Sequence, residues 1–433
     1  MKVAFTTLGC RVNQYESEAM TEKFIKEGYE VVPYDKYSDV YVINTCSVTN
    51  TGDKKSRQMI SRARRLNPDA VIAVVGCYSQ IAPNEVSNIE GVDVVLGTRN
   101  KGEIVYWVNR AREEREQIVE VSDVLRNTEF EELNIEEYQD KTRAFLKIQD
   151  GCNRFCSYCL IPFARGAVCS KDPEKIVQEV KELASNNFKE IILSGIHIAS
   201  YGLDLDGDWN LVKILQIIED IDGIERVRIG SIDPTFFTEG VIEKLSSLKK
   251  LCPHFHLSLQ SGCDETLKRM NRRYTTEEYR NIVKSLRNNI NDASITTDII
   301  VGFPGETDEE FEITYKFLEE IKLSKMHVFK FSPRKGTKAE KMSDQVDGKI
   351  KDIRSSKLIE LDKKNEMEFM NQFINRSMNV LFEQEYSSIE GFYEGYTPNY
   401  IKVISKAYQD LSGGIFEVRL SKVEEGYIIG EIL

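Results

Sequence analysis

The alternation of apolar and polar positions changes character along the chain, and each regime predicts its own architecture. Over residues 1–125, short apolar runs alternate with helical patterns, as parallel βαβ units of an open α/β domain do. Strands are predicted at Val3–Leu8, Val40–Asn44 and Ala70–Val75. From Arg143 to about Ser332 a strand–helix rhythm repeats, with strands near 143–149, 189–194, 225–230, 254–260, 295–301 and 326–332. Six strands joined by crossover helices fit an open, partial (β/α)6 barrel better than a closed eight-stranded one. Asp172-Pro173-Glu174 reads as an N-cap with proline in the first turn, and Thr307 to Glu310 as a capping box. Lys349 to Phe373 is charged and periodic, a bridging helix. The glycine-broken strands beyond it (Tyr400–Ile404, Phe416–Leu420, Tyr427–Ile429) predict a small β-barrel. The fold class is thus multidomain α/β. The expected division is 1–125, a linker at 126–141, a barrel core at 142–343, a helical bridge at 344–371 and the small barrel at 372–433.

Charge sharpens these boundaries. Between Arg112 and Asp140 stand 11 acids, among them Glu136, Glu137 and Asp140, against 3 bases. That bias reads as a helix end followed by an exposed linker. The net charge of −12 argues against a general nucleic-acid binder, because phosphate contacts require cations. Locally the balance reverses. Lys54, Lys55, Arg57, Arg62, Arg64 and Arg65 stand together with no acid among them, either a contact surface or a solvated helix face. The 433 residues contain no run of 18 uncharged apolar residues and begin without a long apolar leader, so a soluble, cytoplasmic protein without membrane partners is expected. Nine cysteines, an odd number in a long chain, fit metal-bound thiolates in a reducing compartment better than a disulfide framework.

The cysteines carry the candidate chemistry. Cys10, Cys46 and Cys77 each follow a predicted strand and precede a helix, at the carboxyl edge where open α/β sheets bind ligands. Separated by 36 and 31 residues, they can converge into one three-thiolate metal site. A second trio, Cys152, Cys156 and Cys159, lies in the short polar loop Gly151–Cys159, which follows the first barrel strand. Thiolates packed this closely are ligands more often than packing residues. Three of them leave one iron of a four-iron cube open, as a catalytic zinc keeps a position for substrate. A zinc site with Cys169 as fourth ligand, or buried structural cysteines, are the rival readings. His197, His254, His256 and His327 are single and scattered, and read as hydrogen-bonding rather than ligating residues.

The Cys-x3-Cys-x2-Cys loop with its preceding Gln149-Asp150-Gly151, and Ile161-Pro162-Phe163-Ala164-Arg165-Gly166 after it, resemble the cluster loop of radical S-adenosylmethionine (SAM) enzymes. Leu8-Gly9-Cys10-Arg11-Val12-Asn13-Gln14-Tyr15-Glu16-Ser17, Asn44-Thr45-Cys46-Ser47-Val48-Thr49 and Val75-Gly76-Cys77-Tyr78 resemble the N-terminal domain of the radical-SAM methylthiotransferases, and the small barrel resembles their TRAM domain, an RNA-binding module. The resemblance covers essentially the whole chain. It implies two 4Fe–4S clusters, one on Cys152, Cys156 and Cys159 that binds SAM and one on Cys10, Cys46 and Cys77 that carries the inserted sulfur. It also implies a tRNA substrate and an electron donor such as flavodoxin or ferredoxin. Tyr158 against the adenine, with Ser194, Gly195, Ser258, Gln260, Gly302 and Phe331 at strand ends, fit SAM contacts. Arg11–Glu16, Gly195–Tyr201 and His327–Ser332 look like the branch acting on threonylcarbamoyladenosine at tRNA position 37 rather than on isopentenyladenosine. A non-catalytic iron–sulfur RNA-binding sensor is the alternative from another class. Two departures stand out. Cys169 occupies a place where relatives usually carry arginine, and the terminal barrel has five bases against nine acids, awkward for gripping RNA.

Overall fold

The computed structural model describes residues 1–47, 50–126, 129–133, 135 and 142–433, with Asn50 and Thr51 described by their backbone only. Val48 and Thr49 of the motif after Cys46, and Glu136, Glu137 and Asp140 of the acidic run, lie outside the described residues.

The N-terminal part builds a six-stranded parallel sheet from β1 (Lys2–Thr7), β2 (Glu30–Val32), β3 (Val40–Thr45), β4 (Val71–Gly76), β5 (Val94–Leu96) and β6 (Ile118–Glu120). Every residue of β3 and β4 is buried, as expected of valine- and isoleucine-rich strands covered on both faces by helices. Strands β2, β5 and β6 were not anticipated. Each has three residues, too short for alternation to be read. The order is β2-β1-β3-β4-β5-β6, so the direction of winding reverses between β1 and β3. In such sheets the crevice at that reversal is the ligand site.

The barrel core consists of β7 (Arg143–Asp150), a short antiparallel β8 (Cys169–Ser170), β9 (Glu190–Gly195), β10 (Arg226–Ile229), β11 (His254–His256), β12 (Ser294–Val301) and β13 (Lys325–Lys330). Strands β7, β9 and β10 pair in parallel, as do β11, β12 and β13. The parallel bridges Val227–Leu251 and Ile232–Leu257 join the two groups into one open arc. The expected partial barrel is therefore present. The Asp172 cap and the Thr307–Glu310 capping box form as anticipated. The fourth strand is shorter than expected, because it leaves regular pairing after His256. Gln260 turns at φ +73°, and Arg272 donates to the Ser258 carbonyl at 2.9 Å. Ser258 and Gln260 thus lie beyond the strand rather than on it.

Helix Gly348–Asn371 packs along β13 at the open side of the arc. It leads into a closed barrel of β14 (Ser377–Glu385), β15 (Phe392–Tyr396), β16 (Lys402–Lys406), β17 (Ile415–Glu424) and β18 (Tyr427–Ile432). This small barrel is docked on the base of the large one. Arg226 donates to the carbonyls of Asn379 and Tyr396 at 2.9 and 3.1 Å, and Arg228 to that of Pro398 at 3.0 Å.

The acidic run 112–140 is not simply an exposed linker. Leu133 and Ile135 are buried against Tyr15 and Ala19, the Tyr15 hydroxyl donates to the Leu133 carbonyl, and Glu131 accepts from the Gly102 amide. Counting charges overlooked two aliphatic residues that have a groove to fill.

Candidate active site

Helix α1 (Arg11–Lys26) starts directly after Cys10, and helix α2 (Asn50–Leu66) starts just beyond Cys46. Cys77 opens the short helix that follows β4. Because β1, β3 and β4 are neighbours, their carboxyl ends stand about 4.8 Å apart in sequence of pairing, and the three cysteines follow that spacing at one edge. The approach is close. Gly9 lies at φ +112°, and a Cβ there would meet the Cys46 Cβ at 2.8 Å. Asn13 ties the two loops together, donating to the carbonyls of Leu8 and Thr45 at 2.8 and 2.9 Å.

Behind these thiols lies a buried charge network whose central members, Glu16, Asp150 and Arg165, stand in separate motifs that do not show they meet. Glu16 is fully buried and pairs with Arg165, with Lys147 at 3.2 Å and with Lys101 at 3.3 Å. Asp150, equally buried, pairs with Lys147 at 2.6 Å and Arg165 at 3.2 Å. Arg165 also donates to the Asn13 side chain at 2.7 Å. Arg165 closes the helix after the cysteine loop and Asp150 immediately precedes that loop, so the network joins the two cysteine sites. Burial alone would raise the Glu16 carboxyl, but Arg165, Lys101 and Lys147 hold it down at about 2.

The cysteine loop is clamped from several sides. Gly151 sits at φ +73°, where a Cβ would run into the Ala167 carbonyl. Ser157 receives support from the Met270 and Arg269 carbonyls at 3.0 and 2.8 Å, and Arg272 donates to the Cys156 sulfur at 3.3 Å. Burial pushes the Cys152 thiol up and the Cys159 thiol to about 12, so a thiolate there requires a cation such as a metal. Tyr158 packs on Phe303 (6.3 Å between rings), which packs on Phe331 (5.2 Å). Gly302 turns at φ +69° against Lys351 rather than toward the loop.

The arc encloses a cavity of about 840 Å³ lined by Cys10 and Arg11 of the N-terminal part and by Tyr396, Tyr400 and Lys402 of the small barrel. Ser194 and Gly195 line it. Three of the four histidines, read from sequence as scattered, share this wall: His254, His256 and His327. Every second residue of a strand faces one side, so alternation along β11, β12 and β13 brings them together. His254 stacks on Tyr400 at 4.7 Å and 16°, and burial, then Arg228, hold it well below the usual imidazole range. Tyr400 itself adopts φ +70°. Burial would raise its hydroxyl, but Arg143, Arg11 and Arg228 bring it below the usual phenol range.

The geometry bears on the zinc reading. A single zinc ion needs sulfurs about 2.3 Å away, hence within about 4 Å of one another. Among the described residues, the one set of three ligand-type side chains with atoms all within 4.8 Å is His256, Asp298 and His327, and it contains no cysteine. Neither cysteine trio meets that limit. Cys169 is engaged elsewhere: Arg99 donates to its sulfur at 3.3 Å, so a guanidinium stands beside the place where the sequence lacks one.

Comparison with known proteins agrees. Residues 146–318 match the radical SAM superfamily, and residues 2–97 match uncharacterized protein family UPF0004. A threonylcarbamoyladenosine tRNA methylthiotransferase of Bacillus subtilis is 44% identical over all of this chain and 96% of its own, and one of Aquifex aeolicus is 42% identical over 95% and 98%. A tRNA-2-methylthio-N(6)-dimethylallyladenosine synthase of Pelotomaculum thermopropionicum is 34% identical over 99% and 97%. Among solved structures, a radical SAM methyltransferase of Kitasatospora setae with cobalamin and a 4Fe–4S cluster bound superposes with a TM-score of 0.55 over 76% of this chain and 74% of its own. At 17% identity that likeness speaks for the fold alone. A three-cysteine loop after the first barrel strand and three cysteines at the carboxyl edge of the N-terminal sheet, in a chain this similar to such relatives along its whole length, identify it as a member of the radical-SAM methylthiotransferase family, which works with SAM and 4Fe–4S clusters.

Proposed function

We propose that this protein converts N6-threonylcarbamoyladenosine at position 37 of tRNA to its 2-methylthio derivative, with two 4Fe–4S clusters. In this reading Cys152, Cys156 and Cys159 hold the cluster that binds SAM, and Cys10, Cys46 and Cys77 hold the second. The residues suit such groups. Three thiols per site leave one iron open, and Arg272 donates to Cys156. Beside Cys10 and Cys77 the buried network sets four cations (Arg99, Lys101, Lys147, Arg165) against three carboxylates (Glu16, Glu131, Asp150), a surplus of one positive charge that complements an anionic metal–thiolate group. When bound, the SAM cluster supplies the radical that an inert aromatic C–H bond demands. The protein's own groups position and exclude. Tyr158, Phe303 and Phe331 form an apolar floor by the loop, Ser194 and Gly195 line the cavity, and the small barrel forms part of its wall. A reductant of the flavodoxin or ferredoxin kind completes the system.

The observation that carries the choice of nucleoside is the group of hydrogen-bonding side chains that the cavity presents beside its apolar lining of Val12, Phe145, Ile229, Phe369, Met370 and Ile401. Its wall of His254, His256, Ser294, Thr296, His327 and Tyr400 suits a hydrogen-bonding substituent, not a hydrocarbon one. Nucleoside mass analysis of tRNA from a strain lacking this protein tests it. The methylthio group should vanish from threonylcarbamoyladenosine alone; its loss from the dimethylallyl nucleoside would refute the reading, and no loss from either would favour the sensor.

The basic run supplies the RNA contact in this reading. On α2, Lys54, Lys55, Arg57, Arg62 and Arg65 are exposed, whereas Arg64 is spent on the Ala70 carbonyl at 3.1 Å and Asp93 at 3.1 Å. Arg57 is shared with Tyr78 and Glu85 at 3.0 and 3.2 Å. Four cations remain for phosphate: Lys54, Lys55, Arg62 and Arg65. Reversing Arg62 and Arg65 to glutamate should weaken tRNA binding and flatten its dependence on log salt by roughly 2 units, one per lost contact, in a titration across salt concentrations. An unchanged slope would remove α2 from the interface.

A further inference from the structure

Five formally charged side chains line the central cavity, and four of them are answered within the protein. Lys325 pairs with Glu366 at 2.5 Å, and Asp298 approaches His256 at 3.4 Å. Lys402 pairs with Glu394 at 2.5 Å. Arg11 is the fifth. Among the described residues no carboxylate lies within 4.0 Å of its guanidinium and no side-chain hydrogen bond forms to it; it stands over the face of Phe145, 5.8 Å from the ring centre, and within electrostatic reach of the Tyr400 hydroxyl. The surroundings offer it no surplus of negative charge. Arg143, Arg226 and Arg228 already share Glu190 and Glu383. A half-buried cation left without a counterion, on the wall of a cavity, is costly unless an anion arrives there.

We infer that Arg11 recognises the carboxylate of an acidic substituent on the substrate adenine, and thereby sets which modified adenosine the cavity accepts. The inference rests on the threonylcarbamoyl reading above and adds the residue that enforces it. A threonylcarbamoyl group ends in a free carboxylate, which a guanidinium engages through two parallel hydrogen bonds. A dimethylallyl group is a hydrocarbon and would leave Arg11 unpaired, a penalty that discriminates more sharply than the added contact alone. The position supports the role. Arg11 adjoins Cys10 at the start of α1, so the anion would be held beside the edge where the three N-terminal cysteines gather. Stacking on Phe145 limits the freedom of the guanidinium before substrate arrives.

The competing source of an anion is a tRNA phosphate, and affinity measurements separate the two. Anaerobically prepared holoenzyme is titrated with three anticodon stem-loops that differ only at A37: threonylcarbamoylated, dimethylallylated and unmodified. In Arg11→Gln, affinity for the threonylcarbamoyl loop should fall by about 10- to 100-fold, the worth of one charge-assisted pair, while the other two loops stay within about twofold of wild type. Arg11→Lys should keep part of the preference. Iron content and the electron paramagnetic spectrum, unchanged in both variants, show that the neighbouring site is intact. Equal losses on all three loops would assign Arg11 to phosphate and overturn the inference, as would no loss at all. A wild-type protein with no preference for the threonylcarbamoyl loop would instead overturn the underlying functional reading.

Discussion

Replacing Cys46 with alanine should leave SAM cleavage running and stop methylthiolation. Reduced Cys46→Ala protein is expected to release 5′-deoxyadenosine and methionine from SAM, with methylthiolated nucleoside at the detection limit. The reason is spatial. Cys46 follows β3 at the carboxyl edge of the N-terminal sheet, whereas Cys152, Cys156 and Cys159 sit in a loop held by residues 269–272 of the barrel. Iron should fall from about eight to about four atoms per chain, since two thiolates are a poor hold for a cluster that takes cysteine thiolates as ligands. Cys156→Ala is the complement and should abolish both reactions. A Cys46→Ala protein that no longer cleaves SAM would mean the two sites do not act separately.

The second large effect is expected at Glu16. Changing it to glutamine keeps the shape but leaves Lys101, Lys147 and Arg165 short of a buried counterion. Breaking a buried ion pair by removing one partner costs about 3–5 kcal/mol, so chemical unfolding should begin at clearly lower denaturant. The pH dependence gives an independent check. The Glu16 carboxyl lies at about 2 in the folded protein against an ordinary 4.5. A depressed carboxyl contributes stability that is fully present above about pH 4.5 and is lost as pH falls toward 2, amounting to about 3 kcal/mol. The gap between wild type and Glu16→Gln should therefore narrow over that window. A gap undiminished at pH 2 would show that packing rather than charge is at stake. Because the network spans the N-terminal sheet and the barrel, the same change should loosen the registration of the two cysteine sites.

Much of this was legible in the chain itself. Valine-rich runs ending in Gly-Cys or Thr-Cys set out the N-terminal sheet and placed Cys10, Cys46 and Cys77 at its carboxyl edge, because the length and apolar character of a run are local properties. The strand–helix rhythm of 143–332 yielded the partial barrel for the same reason. The Cys152–Cys159 spacing is local chemistry and needed no fold at all. Cooperation between distant residues was not legible. Glu16 and Arg165 are 149 residues apart, and nothing in either neighbourhood says that both lose their water. His254, His256 and His327 looked unrelated because alternation shows which side a residue faces, not which strand lies across from it. The small barrel's acidic surplus suggested a poor RNA grip. Only its docking through Arg226 and Arg228 shows that it also walls the cavity, with Tyr400 stacked on His254. Local pattern therefore determined the elements and the thiols. Burial, which arises only when elements meet, decided the charges around them and left Arg11 as the cation that waits for substrate.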